Sequence, residues 1–333
     1  MGNCVPVTPD TLETQGSVDL EEIMGDLSSF YDDSYSNDTF LDYDATPCHN
    51  RFCPLFQRVA PPFLAVTCAA AALASGALLV ALAKRPQAWR WPRSRALVAQ
   101  LALGTALFAA LLPALAAGVA RGWHLGTWPC RLTHLLWHWS LFAQALLVAS
   151  GSCGTAWARW DPRSRRRAVA LWAVALLLAI PAALVSGVAA GTSCVRRSVA
   201  ILAPAYLLHL SLCLCLLLLL PAGLLLAALA VPRLRASWAA GARLIWLFLG
   251  LWGPYGAGLA GDFLLQTKLL EPTCGSFEHF DLALGLSEGL GVLHCGLGPL
   301  ALLLAGGCRG LPSSGGCSVE PNRATAPGLE PQP

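Results

Sequence analysis

The residues with the clearest chemical character lie in the first 46 positions, where tyrosines stand among acids. Tyr31, Tyr35 and Tyr43 have the acidic context that suits tyrosine sulfation. Their nearest acids are Asp32, Asp33, Asp42 and Asp44. Residues 1–46 carry eleven Asp and Glu and no Lys or Arg, and the rest of the chain carries all 22 basic and the other eight acidic residues. Such a segment attracts a basic partner at long range and speeds its association. The alternative is that the tyrosines are unmodified.

Two acids stand out because their surroundings are apolar. Glu288 lies inside a long apolar run, where a charge is costly unless it faces a cavity or a partner. A structural ion pair with Arg131 or Lys268 is one possible role. Asp262 lies near the end of another apolar run, where we expect it to meet interfacial water.

His134 and His138 are four positions apart and would share one face of a helix, as a pair of metal ligands would. No third ligand is evident, so ordinary packing is the better interpretation and no metal or cofactor is predicted. No Ser/His/Asp constellation is evident either, so the sequence does not predict an enzyme.

The thirteen cysteines divide by their surroundings. We expect the cysteines inside apolar runs to be buried like small apolar residues. Outside the runs, we predict the disulfides Cys130–Cys194 and Cys48–Cys274, which leaves Cys53 over. Exchange of Cys48 with Cys53 is an alternative that the sequence does not decide.

Composition predicts a membrane protein, since 56% of the residues are hydrophobic and only 12% are charged. Seven apolar runs are long enough to cross a bilayer. They lie near 62–83, 96–119, 131–157, 168–190, 199–230, 242–265 and 280–305. The first, third and fifth connections carry thirteen basic residues and the second, fourth and sixth carry five, which places the amino terminus outside the cell.

The predicted fold is therefore an all-α membrane protein, a seven-transmembrane helix bundle with an extracellular amino terminus. Residues 1–60 form an acidic, disordered extracellular tail, 61–305 the bundle, and 306–333 a short disordered cytoplasmic tail. Asn37-Asp38-Thr39 is a glycosylation sequon in the outer tail. The partners expected from composition are membrane lipids, with no nucleic acid.

Several motifs resemble the rhodopsin-like receptors, and within them the chemokine receptors. Trp252-Gly253-Pro254 is similar to the kink motif of their sixth helix. Glu288, followed by His294-Cys295 and Gly298-Pro299, resembles their seventh helix. The resemblance implies that Glu288 meets the amino terminus of a chemokine in a pocket, and that the acidic tail binds basic chemokines.

The chain departs from that family at the residues that relay activation. Cys153, Gly154 and Thr155 occupy the places of Asp-Arg-Tyr in the third helix. Gly298 and Leu302 occupy those of the Asn and Tyr of Asn-Pro-x-x-Tyr. Thr105 replaces the sodium-site aspartate of the second helix, and Ala77 the asparagine of the first. Because a glycine has no side chain to contact a G protein, these losses together predict that coupling is absent or feeble.

The pattern therefore resembles the atypical chemokine receptors of the Duffy antigen type. Phe142-Ala143-Gln144-Ala145 and Leu293-His294-Cys295 are among the segments similar to that group. The resemblance implies binding of CC and CXC chemokines, internalisation or transcytosis from the plasma membrane through early and recycling endosomes, and no G-protein signalling. It leaves homo- or hetero-oligomers with other chemokine receptors open.

Two other functions compete with this one. A conventional G-protein-signalling chemokine receptor is opposed by the missing arginine and tyrosine. A seven-helix transporter or intramembrane enzyme needs several ionisable groups at mid-depth, where Glu288 alone qualifies clearly.

Overall fold

The computed structural model describes residues 52–84, 95–156, 165–189, 193–195, 203–230, 241–267, 269 and 274–307. In these ranges, seven helical segments are long and apolar enough to cross a membrane. We number them as spans one to seven. Their bounds are Cys53–Lys84, Arg95–Arg121, Thr127–Ala156, Arg165–Leu184, Pro204–Ala230, Gly241–Gln266, and for the seventh Cys274–Val292 followed by His294–Gly307. The seven-helix prediction is confirmed.

The first and seventh spans are longer than the sequence predicted. The first helix begins at Cys53, inside the stretch assigned to the tail, and continues through Pro61 and Pro62. The seventh begins at Cys274 rather than near 280. Apolar residues mark only the part of a helix inside the bilayer, so the polar turns that project beyond it escape a hydropathy argument.

The fifth span changes its winding midway. An α-helix at Pro204–Leu214 is followed by a π-helical turn at Cys215–Leu219 and an α-helix at Leu220–Ala230. The amide of Leu220 bonds to the carbonyl of Cys215, five residues back. Pro221 follows at once and has no amide to donate, which is the kind of position where an α-helix rearranges.

The third span is the central helix of the bundle and the most buried of the seven. In its most apolar window 61% of the residues are buried, against 22% in the fourth span. Large apolar side chains such as Val66, Leu73 and Trp246 are exposed on the outside of the bundle. An apolar exterior around a well-packed centre suits a bilayer, where lipid tails replace water as the solvent.

Two apolar clusters fill the interior. The first contains Phe108, Trp137, Phe142, Phe248 and Trp252. The second lies nearer the predicted cytoplasmic end. It includes Leu78, Leu97, Leu147, Ile245 and Leu302.

A glycine allows the sixth and seventh spans to approach closely. A Cβ added at Gly291 would lie 2.6 Å from Cε3 of Trp252, closer than two carbon atoms can pack. The face of the indole therefore rests against the backbone of the seventh span, and the depth of that span relative to Trp252 is fixed by this contact.

Candidate functional site

The outer end of the central span is tied to the following connection by a disulfide. Cys130 and Cys194 are bonded, with their Cα atoms 5.6 Å apart, as predicted. Cys194 lies in a two-stranded antiparallel hairpin of Gly187–Ala189 and Ser193–Val195. Nε of Arg131 donates a hydrogen bond of 3.2 Å to the carbonyl of Ser186, which holds the base of the hairpin. The hairpin therefore lies against the mouth of the bundle.

Aromatic rings form a floor below this mouth. The rings of Phe108 and Trp137 are 4.2 Å apart, and Trp252 stands edge-on to both, at 5.8 and 6.4 Å. Tyr255 lies 5.8 Å from Trp252. Edge-to-face contacts of this kind are favourable beyond the area they bury, so the floor is a rigid layer joining the second, third and sixth spans.

Glu288 lies one helical turn outward from this floor. It precedes Gly291, which touches Trp252, by three positions, so a rise of about 4.5 Å separates them. The side chain is 7% exposed. A ligand contact for Glu288 stays a prediction.

Two further buried acids accompany Glu288. Asp262 is 8% exposed and Asp281 3%, so the expectation that Asp262 meets interfacial water is wrong. The reason is the length of the seventh span, whose outer turns cover the end of the sixth. A Cβ at Gly261 would lie 2.8 Å from Cε2 of Phe280, so Asp262 and Asp281 lie at the same depth. Sequence reasoning missed this pair because the close approach of the sixth and seventh spans at Gly261 and Phe280 is a tertiary contact.

A polar link crosses the core below the aromatic floor. Nε2 of His294 donates to Oε1 of Gln144 at 2.9 Å, which joins the seventh span to the third. Phe248 stands 5.3 Å from the His294 ring, edge-on. A Cβ at Gly298 would lie 3.4 Å from Cε1 of His294, so position 298 faces this link with no side chain of its own.

The residues that replace the family's activation motifs lie in two regions of the bundle. Thr105 is buried and its hydroxyl is 3.3 Å from that of Ser75, and Leu302 is buried in the inner cluster. Ala77 is exposed, so the residue of the first span that faces Thr105 is Ser75. Gly154, with its neighbours Cys153 and Thr155, lies in the last helical turns of the third span, where only the backbone is described.

The two histidines of the third span have different surroundings. Their rings are 6.4 Å apart. The His209 ring of the fifth span lies 4.7 Å from the His138 ring, edge-on. Ligand atoms of His138, His209 and Cys213 lie within 4.8 Å of one another, and all three residues are buried. The sequence held a signal for this group, since His209 and Cys213 are four apart in one apolar run.

The tail and part of the predicted disulfide pattern lie outside the described residues. This applies to the three tyrosines, the four aspartates beside them, Asn37 and Cys48, and also to the side chain of Cys274. Cys53 is disulfide-bonded, so the expectation that it is left over is wrong. The described side chains do not include its partner, and the pairing of Cys274 with Cys48 or with Cys53 stays a prediction.

Comparisons with known proteins point in one direction. No protein-family model matches the chain. Atypical chemokine receptor 1 of Gorilla gorilla gorilla is 34% identical over 320 residues, which cover 91% of each chain. The same receptor of Homo sapiens is 33% identical over 323 residues, and that of Mus musculus 32% over 321, with the same coverage. Seven spans and receptor relatives together make the chain a multi-pass membrane protein.

Proposed function

Because the chain belongs to the atypical chemokine receptor 1 family, sharing about a third of its residues with those receptors over 91% of its length, we propose that it captures chemokines of both the CC and the CXC class at the plasma membrane. It then internalises, transcytoses or sequesters them, passing through early and recycling endosomes, without activating a G protein. The full-length match to this family is the observation that carries the proposal.

Electrostatics supports capture in two stages. The eleven acids of residues 1–46 give the tail a field that draws in a basic chemokine, and sulfation of Tyr31, Tyr35 or Tyr43 adds negative charge. A bound chemokine then brings its positively charged amino terminus towards the mouth of the bundle. There Asp262, Asp281 and Glu288 carry carboxyl groups on the sixth and seventh spans, with Glu288 nearest the aromatic floor.

The inner half of the bundle supports the absence of coupling. Gly154 offers no side chain where signalling members of the resembled family have arginine. The interior near it is apolar, with Leu302 buried among Leu78, Leu97 and Ile245. A polar relay from the mouth to the cytoplasmic face would have to cross this layer, and apolar side chains cannot exchange hydrogen-bond partners.

One experiment tests both chemokine capture and the absence of G-protein activation in the same cells. Cells that express the full chain are incubated with fluorescent chemokines of each class, and surface binding, uptake and dissociation of G-protein subunits are recorded. We expect saturable binding and uptake of several CC and several CXC chemokines with no subunit dissociation. A conventional chemokine receptor in the same cells serves as the positive control. Binding of none of the chemokines, or robust nucleotide exchange on binding, would overturn the proposal.

A further inference from the structure

A cluster of potential nitrogen and sulfur ligands lies inside the membrane-spanning part of the chain. It is separate from the proposed chemokine site. His138 comes from the third span, and His209 and Cys213 come from the fifth. Sγ of Cys213 is 3.8 Å from both ring nitrogens of His209, and all three ligand atoms lie within 4.8 Å of one another. The exposed fractions are 0% for His138 and Cys213 and 4% for His209. We propose that these residues bind one copper(I) ion between the third and fifth spans.

The local bonding prepares His138 to act as a ligand. Its Nδ1 lies 2.8 Å from the carbonyl oxygen of His134, one turn earlier in the same helix. A carbonyl can only accept, so Nδ1 carries the proton and the lone pair of the neutral ring is on Nε2. A backbone carbonyl that holds one ring nitrogen of a ligating histidine in this way is the usual outer partner in metal sites.

The distances require little movement to close around an ion. Metal bonds of about 2.0–2.3 Å to nitrogen and sulfur set the ligand atoms roughly 3.5 Å apart. The pair in the fifth span is already near that value at 3.8 Å. His209 and Cys213 belong to the same helical face, because four positions make about one turn. Ligand atoms that lie within 4.8 Å of one another therefore need to approach by about 1.3 Å or less to complete a trigonal site.

The number of ligands and the charge favour copper(I) over zinc(II), because zinc(II) usually takes four ligands. Two imidazoles and one thiolate are a donor set that copper accepts in trigonal geometry, and thiolate selects soft ions. Binding breaks the S–H bond of Cys213, forms an S–Cu bond and releases the proton to solvent, with no electron transferred. Copper(I), one thiolate and two neutral imidazoles then have no net charge. Zinc(II) in the same place leaves one positive charge, which a low-dielectric interior penalises.

A second group of potential metal ligands lies at the outer end of the third span, and it does not compete for copper(I). Cys130, His134 and Cys194 also lie within 4.8 Å of one another. Their two cysteines are joined in a disulfide, and a disulfide sulfur is not a thiolate ligand.

The test uses the full chain purified in lipid nanodiscs with ascorbate, which keeps copper reduced. Copper(I) is titrated against a chromophoric copper(I) chelator, and thermal melting is followed in parallel. We expect one copper ion per chain that depends on Cys213, and a melting temperature raised by several degrees. Cys213→Ser should lower the affinity for this copper ion at least about 100-fold. The loss of an outer-shell partner costs less than that. X-ray absorption at the copper edge should find one sulfur and two nitrogen neighbours.

The chain offers matched controls for two of the three ligands, Cys213 and His209. Cys215→Ser makes the same change two residues away at an exposed position, and should bind copper as the unaltered chain does. His209→Asn is paired with His279→Asn, because His279 is exposed at the outer start of the seventh span. A folded chain without the copper, equal copper affinity in Cys213→Ser and Cys215→Ser, or a Cys213-dependent preference for zinc(II) over copper(I) would overturn the assignment.

Discussion

Gln144 and His294 are joined by a hydrogen bond of 2.9 Å that links the central span to the seventh. Both are buried, with exposed fractions of 1% and 6%. Gly104 of the second span leaves room for the glutamine, because a Cβ there would lie 3.0 Å from Cγ of Gln144. A buried bond between neutral groups is protected from competing water, and losing one partner exposes the other to the full desolvation cost.

The first prediction concerns this bond. Gln144→Leu should lower the free energy of unfolding by about 1–3 kcal/mol, because the His294 N–H is left buried without its acceptor. The melting temperature of the purified receptor measures this effect, and we expect it to fall. Combining Gln144→Leu with His294→Phe should cost less than the two single changes together, since neither polar partner remains. Strict additivity of the single changes would contradict a direct link.

A second prediction tests the contact between the sixth and seventh spans. Gly291→Ala should lower the melting temperature, corresponding to about 1–3 kcal/mol of overpacking, because the new methyl group would meet the Trp252 indole at 2.6 Å. Gly250→Ala is the matched control, as a Cβ at Gly250 meets nothing within 4 Å. Equal melting temperatures of the two variants would mean that the indole moves aside freely.

The third prediction concerns the acidic tail. Replacing Tyr31, Tyr35 and Tyr43 together by Phe should weaken chemokine binding and flatten its dependence on salt, because screening acts on the charges that sulfation would add. Replacing Ser28, Ser29 and Ser34 by Ala in the same tail is the control. Unchanged affinity of the tyrosine variant at low salt would count against the tail as the main site of capture.

A fourth prediction separates a ligand contact of Glu288 from a structural role. Glu288→Gln should reduce chemokine affinity about tenfold or more, since a bond to a charged group contributes about 1.5–3 kcal/mol. Because glutamine keeps the shape and hydrogen-bonding groups of the side chain, the melting temperature of the ligand-free receptor should change much less than the affinity. Glu278→Gln makes the same change at the outer start of the seventh span and should bind normally. A fall in melting temperature with unaltered affinity per folded receptor would identify Glu288 as a structural acid.

The fifth prediction concerns the cytoplasmic end of the third span. Changing Cys153, Gly154 and Thr155 to Asp, Arg and Tyr should not restore nucleotide exchange, because Thr105 and Leu302 remain in place of the other relay residues. Chemokine binding and surface expression should be unchanged, which serves as the internal control. Robust exchange after this triple change alone would place the whole defect in one motif.

Much of the fold could be predicted from local sequence. The seven apolar runs and the Cys130–Cys194 disulfide are confirmed, as is the family resemblance. The errors concern residues at the ends of helices. Asp262 is buried rather than in interfacial water, because the outer turns of the seventh span, which resemble a loop in composition, cover it. The expectation that Cys53 is left over is also wrong, and here the reason is that the sequence does not decide between Cys48 and Cys53 as disulfide partners.

The sequence by itself determined how many helices cross the membrane and which residues are candidates for chemistry. A run of apolar residues must satisfy its own backbone in lipid, so it becomes a helix wherever its neighbours are. The tertiary structure alone decided which side chains meet, because the rotation and depth of one helix relative to another depend on contacts between them. Gln144 therefore reaches His294 across 150 positions of sequence, and His138 joins His209 and Cys213, although no single segment contains either relationship.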